Sequence, residues 1–530
     1  MARYKKTSCR HAPLIFVLVW LLTSLACGSS APEDLSAQEL RQTMAALPVP
    51  TDQSAQPAGQ PAGEPVGESA AQPQPLATSL SPAATSVASY LSGAFYTYIS
   101  RSGDTLPALA GRFGVEAAQI QASQALSSAE LLGQKFLPIG LALTIPNTLS
   151  DLTPETPLLP DSEIAYSPAA ASFNLEVYVS QAGGFLSAYQ ETVDGETLSG
   201  AAIIQRVADE LSVNPRLLVA FLEYRSGWVF GQPRNPADLS QPIGFLIPDR
   251  NGLYQEMMIV ATQINVAYYG WRQGMFTSLT YGDGSTARLN PLLNPGSVAV
   301  QHLLAMFYRP AYWQNAVYGA EGFPAVYAQL FGDPWARAVE PLLPSDLAQP
   351  ALELPYLAGE PWALTAGPHN AWNAGTPRGA LDFSPITGQP KCQVSRAWAT
   401  AAAPGLVVRS AYNAVALDLD GDGLEQTGWV LVYFHLAGVE RSSAPLRVAL
   451  DDRLGHPSCE GGRATGTHVH LARKYNGEWL AADGPAPFVL SGWQAVAGEL
   501  NYAGSLVRLG DTVKANPGGE TGSTIIRAAP

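Results

Sequence analysis

The segment Gly466-Thr467-His468-Val469-His470-Leu471 sets two imidazoles one residue apart. On a strand alternate side chains share a face, so His468 and His470 would project together while Val469 turns into the packing behind. Neutral imidazole is a favoured zinc ligand and often shares the ion with a carboxylate oxygen. Histidine is scarce in this chain: there are seven in 530 residues, and five of them (His369, His435, His456, His468, His470) fall between about 360 and 475. Two histidines on a solvated strand carry no chemistry by themselves, so the neighbouring segments decide.

Three further segments offer polar groups that could converge with this one: Gly367-Pro368-His369-Asn370, Arg378-Gly379-Ala380-Leu381-Asp382-Phe383 and Val432-Tyr433-Phe434-His435-Leu436. Around them the chain reads as strands and turns, with apolar runs at Val407-Val408, Val415–Leu419 and Val430–Phe434. Taken together the four segments resemble the lysostaphin-type zinc metallopeptidases of the β-lytic subgroup, over about 357–495. In the broader family a zinc histidine lies four residues before the aspartate. Here that place holds Arg378, which no metal would accept, and the 13-residue separation of His369 from Asp382 fits the subgroup. The resemblance implies that His369, Asp382 and His470 bind one zinc ion (Zn2+), leaving a fourth position for water as catalytic sites do. It also implies that His435 and His468 stand beside the ion without binding it. There they would orient the water, take its proton and stabilise the charged intermediate, with the base being either of the two.

Other residues of this stretch read differently. His456 matches no ligand position and reads as a loop residue near the cleft. Cys392 and Cys459 suit a disulfide if the chain is exported. Neither sits in a Cys-x-x-Cys pair, which disfavours a zinc site made from them. Asp418-Leu419-Asp420-Gly421-Asp422-Gly423 looks like the start of a calcium loop, but position twelve is Trp429 rather than Glu. A tight acidic turn is the plainer reading, with Glu425 as the residue that would complete an atypical calcium site.

The elements that would deliver such a site are read from the amino terminus. Residues 1–27 have a basic start (Arg3, Lys5, Lys6, Arg10), an apolar run from Leu14 to Leu22 and the small-residue stretch Ser24-Leu25-Ala26-Cys27, an export signal. This stretch resembles a bacterial lipoprotein signal, implying lipid attachment at Cys27; simple secretion is the alternative. Residues 28–93 are rich in Ala, Pro, Gln, Ser and Gly and form a disordered linker. Residues 94–148 read as strand, helix, helix, strand: a strand and turn at Tyr98–Leu106, a helix carrying Leu106, Leu109, Ala110 and Phe113, a second helix over 117–126, and a closing strand at Leu141–Pro146. With Gly103-Asp104-Thr105-Leu106 and Leu143-Thr144-Ile145-Pro146 this unit resembles the lysin motif, which binds N-acetylglucosamine-containing glycans.

After a linker over 149–170, residues 171–345 read as helical, with helices expected at 202–211, 216–228, 252–269 and 296–308. Asn214-Pro215 is a cap followed by proline at the first helical position. Val213-Asn214-Pro215 and the later Ser226-Gly227-Trp228 resemble lysozyme-like lytic transglycosylases, whose catalytic Glu precedes that Ser. Here Arg225 holds the place and is no general acid, while Glu223 lies about 200° round the helix. A non-catalytic, glycan-binding region is expected. The metallopeptidase region is expected over 350–515, with a disordered tail at 516–530.

The fold class is therefore multidomain α+β: a small lysin-motif unit, a mostly α-helical middle domain and a C-terminal antiparallel β-sheet metallopeptidase domain. A net charge of −14 gives no support for nucleic-acid binding, which wants a basic face. The function implied is an exported, extracytoplasmic zinc metalloendopeptidase that acts on peptidoglycan, gripping its glycan strands and cutting its stem or cross-link peptides. A membrane partner would enter through a lipid anchor. The rival is a cell-wall-binding scaffold or hydrolase activator that has lost catalysis. The proline-rich linkers leave both packed and swinging arrangements of the units open.

Overall fold

The computed structural model describes residues 94–122, 126–235, 237–519 and 521–528. The export segment, Cys27 and the linker over 28–93 lie outside the described residues. Among the described residues no helix is long and apolar enough to cross a membrane.

Residues 94–148 form a three-stranded antiparallel sheet in which Ala142–Pro146 lies between Phe95–Ile99 and the short Gln121–Ala122. The helix Leu106–Phe113 packs on it, begun by Thr105, whose hydroxyl accepts from the Ala108 amide, and ended by Gly114 at φ 65°. The second helix is not at 117–126. Residues Ala117–Gln119 make a single tight turn, and the helix is Ser128–Leu132. The reason is a capping box: Ser127 accepts from the Glu130 amide, and Glu130 accepts from the Ser127 amide at 2.8 Å.

The middle of the chain is helical around one apolar core. Its main helices are α1 (Gly200–Leu211), α2 (Pro215–Ser226), α3 (Leu253–Arg272) and α4 (Pro295–Ala305), each within a few residues of the expected window. Ser199 caps α1 and Asn214 caps α2 through side-chain oxygens. Trp228 is fully buried against Phe185 and Tyr189.

The C-terminal region is a large antiparallel sheet. Its strands are β1 (Pro361–Asn370), β2 (Arg378–Pro385), β3 (Gly405–Ala411), β4 (Ala414–Asp418), β5 (Trp429–Phe434), β6 (Leu446–Val448), β7 (Val469–Tyr475) and β8 (Thr524–Ile526). They lie in the order β6-β3-β4-β5-β7-β2-β1-β8, with Glu478–Trp479 paired onto β7. The tail thus departs from expectation: β8 closes one edge by pairing with Pro361–Ala363. Buried Arg527 then binds Asp451. Apolar Ile525 supplies the driving burial, at 2% exposure.

Alternation divides the sheet's two faces. Leu381, Phe383, Leu431, Tyr433, Val469 and Leu471 join a core that a second, four-stranded sheet over 489–514 completes. The opposite face, bearing Ala380, Ala416, Val430, Val432 and Ala472, belongs to the core of the helical region. The units are packed, not strung. Trp479 donates to the Leu211 carbonyl and Tyr268 to Glu478, so α1 and α3 lie on the sheet.

A buried charge cluster sits in this joint. Glu425 accepts from Arg409 at 2.7 and 2.8 Å and from Lys474 at 2.6 Å. It is turned away from the acidic turn and completes no calcium site. Asp418 is engaged by the amides of Asp420, Gly421 and Gly423. Burial alone would raise the Glu425 carboxyl, but Arg409 and Lys474 overcome it and hold it down at about 2. A depressed carboxyl contributes stability above its ordinary value near 4.5, lost as pH falls toward 2. Glu425→Gln should therefore lower stability by about 3–5 kcal/mol at pH 7, since it strands two buried cations. Denaturation followed against pH should show that deficit shrinking below pH 4.

Candidate metal centre

Register brings the candidate ligands together. His470 on β7 pairs directly with Asp382 on β2, and Asp382 also faces β1 opposite Ala366. β1 is irregular between Ala366 and Asn370, and this displaced stretch delivers His369. Its Gly367 is pressed against the backbone at Ala503, where a Cβ would come within 2.8 Å. His468 immediately precedes β7. His435 immediately follows β5 and takes a left-handed backbone, φ 61°, rare for a side-chain-bearing residue and a mark of a position held by its surroundings.

Carbonyl groups set the tautomers. His369 Nδ1 lies 2.9 Å from the Gly367 oxygen and must donate there, leaving Nε2 bare. His470 Nε2 donates to the Ala371 oxygen at 2.9 Å, leaving Nδ1 bare. These two bare nitrogens face each other at 3.0 Å, and each lies 3.3 Å from Asp382 Oδ1. Asp382 Oδ1 is buried and receives no hydrogen bond. Three buried acceptors thus converge with no donor between them, which only a cation or a captured proton relieves. Ligand atoms about 2 Å from a shared tetrahedral ion stand about 3.3 Å apart, so the spacing fits a metal. Among the described residues the only other such cluster is Asp418, Asp420 and Asp422.

His468 and His435 stand beside this trio. His468 Nδ1 donates to the Gly466 oxygen at 2.7 Å, and its Nε2 lies 3.6 Å from Asp382 Oδ2. His435 Nδ1 donates to the Glu460 oxygen at 3.0 Å, and its ring centre is 4.5 Å from that of His468. Burial, reinforced by His468 and His470, pushes the His435 imidazole down to about 3, so it is neutral and basic in form at ordinary pH. Burial also lowers His470. Burial opposes charge on His369, but Asp382 outweighs it and raises that imidazole. Burial would raise Asp382, but His369 and His468 carry it well below the usual carboxylate range.

The Cys392–Cys459 disulfide supports this geometry. Cys459 adjoins Glu460, whose carbonyl orients His435. Gln393, next to Cys392, accepts from Thr467 beside His468. His456 is not gathered into the site. It is buried under Trp398 and bonded to the Ala397 oxygen and Glu440. Arg378 reaches the Gly498 oxygen instead of the ligands.

Two aromatic neighbours escaped the sequence reading. Tyr502 stacks on His369 with centres 4.6 Å apart, and its carbonyl accepts from the Gly367 amide. Trp372 lies 4.4 Å from Phe434, which in turn flanks His435 and His470. Trp372 had a signal, being three residues past His369. Tyr502 had none, because it arrives from a distant hairpin. In the helical region, Glu223 accepts from the Val229 and Phe230 amides and closes its own helix. Arg225 is bound to the Ile243 oxygen and Tyr308.

His470→Ala and Asp382→Asn should each abolish stoichiometric metal binding, leaving less than a tenth of the parental metal after dialysis. Elemental analysis of the purified full chain, with circular dichroism to show retained fold, checks this.

The chain is similar to several known proteins. Residues 157–345 match the family model described as "LasA, N-terminal domain". Protease LasA of Pseudomonas aeruginosa is 26% identical over 382 residues, 67% of this chain and 79% of that protein. The beta-lytic metalloendopeptidase of Achromobacter lyticus is 25% identical over 158 residues, 28% of this chain and 39% of that protein. Among solved structures, a deep-sea M23 metalloprotease, pseudoalterin, is 22% identical with a TM-score of 0.27, covering 32% of this chain and 96% of that one. By these relatives the chain is similar to protease LasA and to the beta-lytic metalloendopeptidase, and it is a metalloendopeptidase.

Proposed function

We propose that this chain is an exported zinc metalloendopeptidase that cuts peptide bonds in peptidoglycan. The observation that carries the reading is the convergence of His369 Nε2, His470 Nδ1 and Asp382 Oδ1, three buried acceptors without a donor, beside two further histidines. His369, Asp382 and His470 would hold the ion. When bound, zinc polarises the scissile carbonyl and lowers the pKa of a water toward neutrality. The chain's own groups do the rest. His435, kept neutral by burial, has a ring nitrogen free to take a proton once Nδ1 is committed to Glu460. His468, with Nδ1 committed to Gly466, holds its Nε2 toward the same space and would donate to a developing oxyanion as the imidazolium, after taking a proton there. Tyr502 and Trp372 bound the site with aromatic surface. The family resemblance, and not this surface, implies small, flexible peptides rich in Gly or Ala as substrate.

The names of the relatives support a peptidase, and its direction at peptidoglycan rests on the resemblance of the four histidine- and aspartate-bearing segments. Glycan binding by residues 94–148, export by residues 1–27 and lipid attachment at Cys27 rest on the sequence. A non-catalytic helical region is supported by Arg225 and Glu223, both held by neighbouring backbone.

Incubating the zinc-loaded full chain with purified peptidoglycan should release new peptide amino termini with glycan strands intact. His435→Ala and His468→Ala should each lose about 10²–10⁴-fold in rate while keeping zinc. New reducing sugar ends instead of amino termini would move the activity to the helical region. Zinc uptake with no cleavage of any wall preparation would support the scaffold reading.

A further inference from the structure

Residues 94–148 are not a pendant module. Their own core is built from Tyr98, Leu109, Phe113, Leu137, Leu143 and their neighbours. Phe136 does not belong to it. While Leu137 turns inward, Phe136 is buried at 7% exposure in a separate cluster with Leu343, Leu480 and Ala486. Leu343 follows the helical region, and Leu480 and Ala486 follow β7. Its ring is buried where these three parts of the chain meet.

A second joint lies beside it. Ser102 both donates to the Leu343 oxygen and accepts from the Leu343 amide. Arg272, at the end of α3, donates to the Ser102 oxygen, to Tyr268 and to Glu478 of the sheet at 2.5 Å. One guanidinium therefore ties the module, the helical region and the sheet together. The helix Leu106–Phe113 docks closely because two glycines meet there: a Cβ on Gly111 would come within 2.3 Å of the Gly274 oxygen. Arg112, 1% exposed, pairs with Asp104 at 2.7 Å and donates to the Trp271 oxygen. Arg288 of the helical region binds the carbonyls of Gly111 and Arg112 at that helix's end.

We propose that residues 94–148 act as a clamp within the chain, holding the helical region against the metal-bearing face of the sheet through Phe136 and the Ser102–Arg272–Glu478 joint. None of the clamp's contacts is made by His369, Asp382 or His470. Any glycan the module binds is therefore gripped by a part rigidly joined to the sheet.

Hydrogen exchange read by mass spectrometry on the full chain tests this with Phe136→Ser and, from the opposite side of the joint, Leu480→Ser. Both should speed exchange about tenfold or more at 339–347 and 476–486, and leave the module's strands Phe95–Ile99 and Ala142–Pro146 unchanged. Unchanged exchange at the joint in both variants would overturn the clamp. Loosening of the module's own strands in Leu480→Ser would also overturn it, by making the contact part of the module's folding. The readout is exchange, not hydrolysis, so the result stands whether or not the peptidase reading does.

Discussion

Three buried acceptors pointing at one another are the constraint on which the C-terminal region turns. His369, Asp382 and His470 cannot lie this close without strong fixing, because no proton is shared among their facing atoms once Gly367 and Ala371 have claimed the ring N–H groups. The sheet supplies the fixing. Asp382 and His470 are register partners on hydrogen-bonded strands, and His369 is delivered by a displaced stretch of the neighbouring one. A cation would convert this mutual repulsion into binding, and so the cost of holding the site in place becomes affinity for the ion.

The same alternation that aims these ligands decides what covers the sheet. On β7, His470 shares its face with Ala472 and Lys474, and that face meets the helices while Val469 and Leu471 enter the other core. Small residues on this face let α1 and α3 approach. The charges left beneath them, Glu425, Arg409 and Lys474, are buried together and so satisfy one another. The helical region therefore belongs to the structural surroundings of the candidate metal centre, and the Asn373 contact with Thr262 extends α3's reach to the loop after His369.

Much of this was legible locally. Helices in the middle of the chain follow apolar spacing and the Ser199 and Asn214 caps, signals that act within a few residues. The second helix of the 94–148 unit was misplaced because apolar spacing outweighed the Ser127–Glu130 capping box, which is also local. The tail, expected to be disordered as chain termini commonly are, instead has Ile525 buried with backbone partners on β1, a strand some 160 residues away.

The sequence by itself determined which residues could do chemistry. Histidine and aspartate are rare, chemically distinctive side chains, and their order and spacing survive without any knowledge of the fold. Tertiary structure alone decided their tautomers, the placing of His456 outside the site, the turning of Glu425 from the acidic loop, and the arrival of Tyr502 on His369. Each of these depends on a partner distant in the chain, and what a side chain meets across such a distance is settled by packing and strand register, which no local pattern encodes.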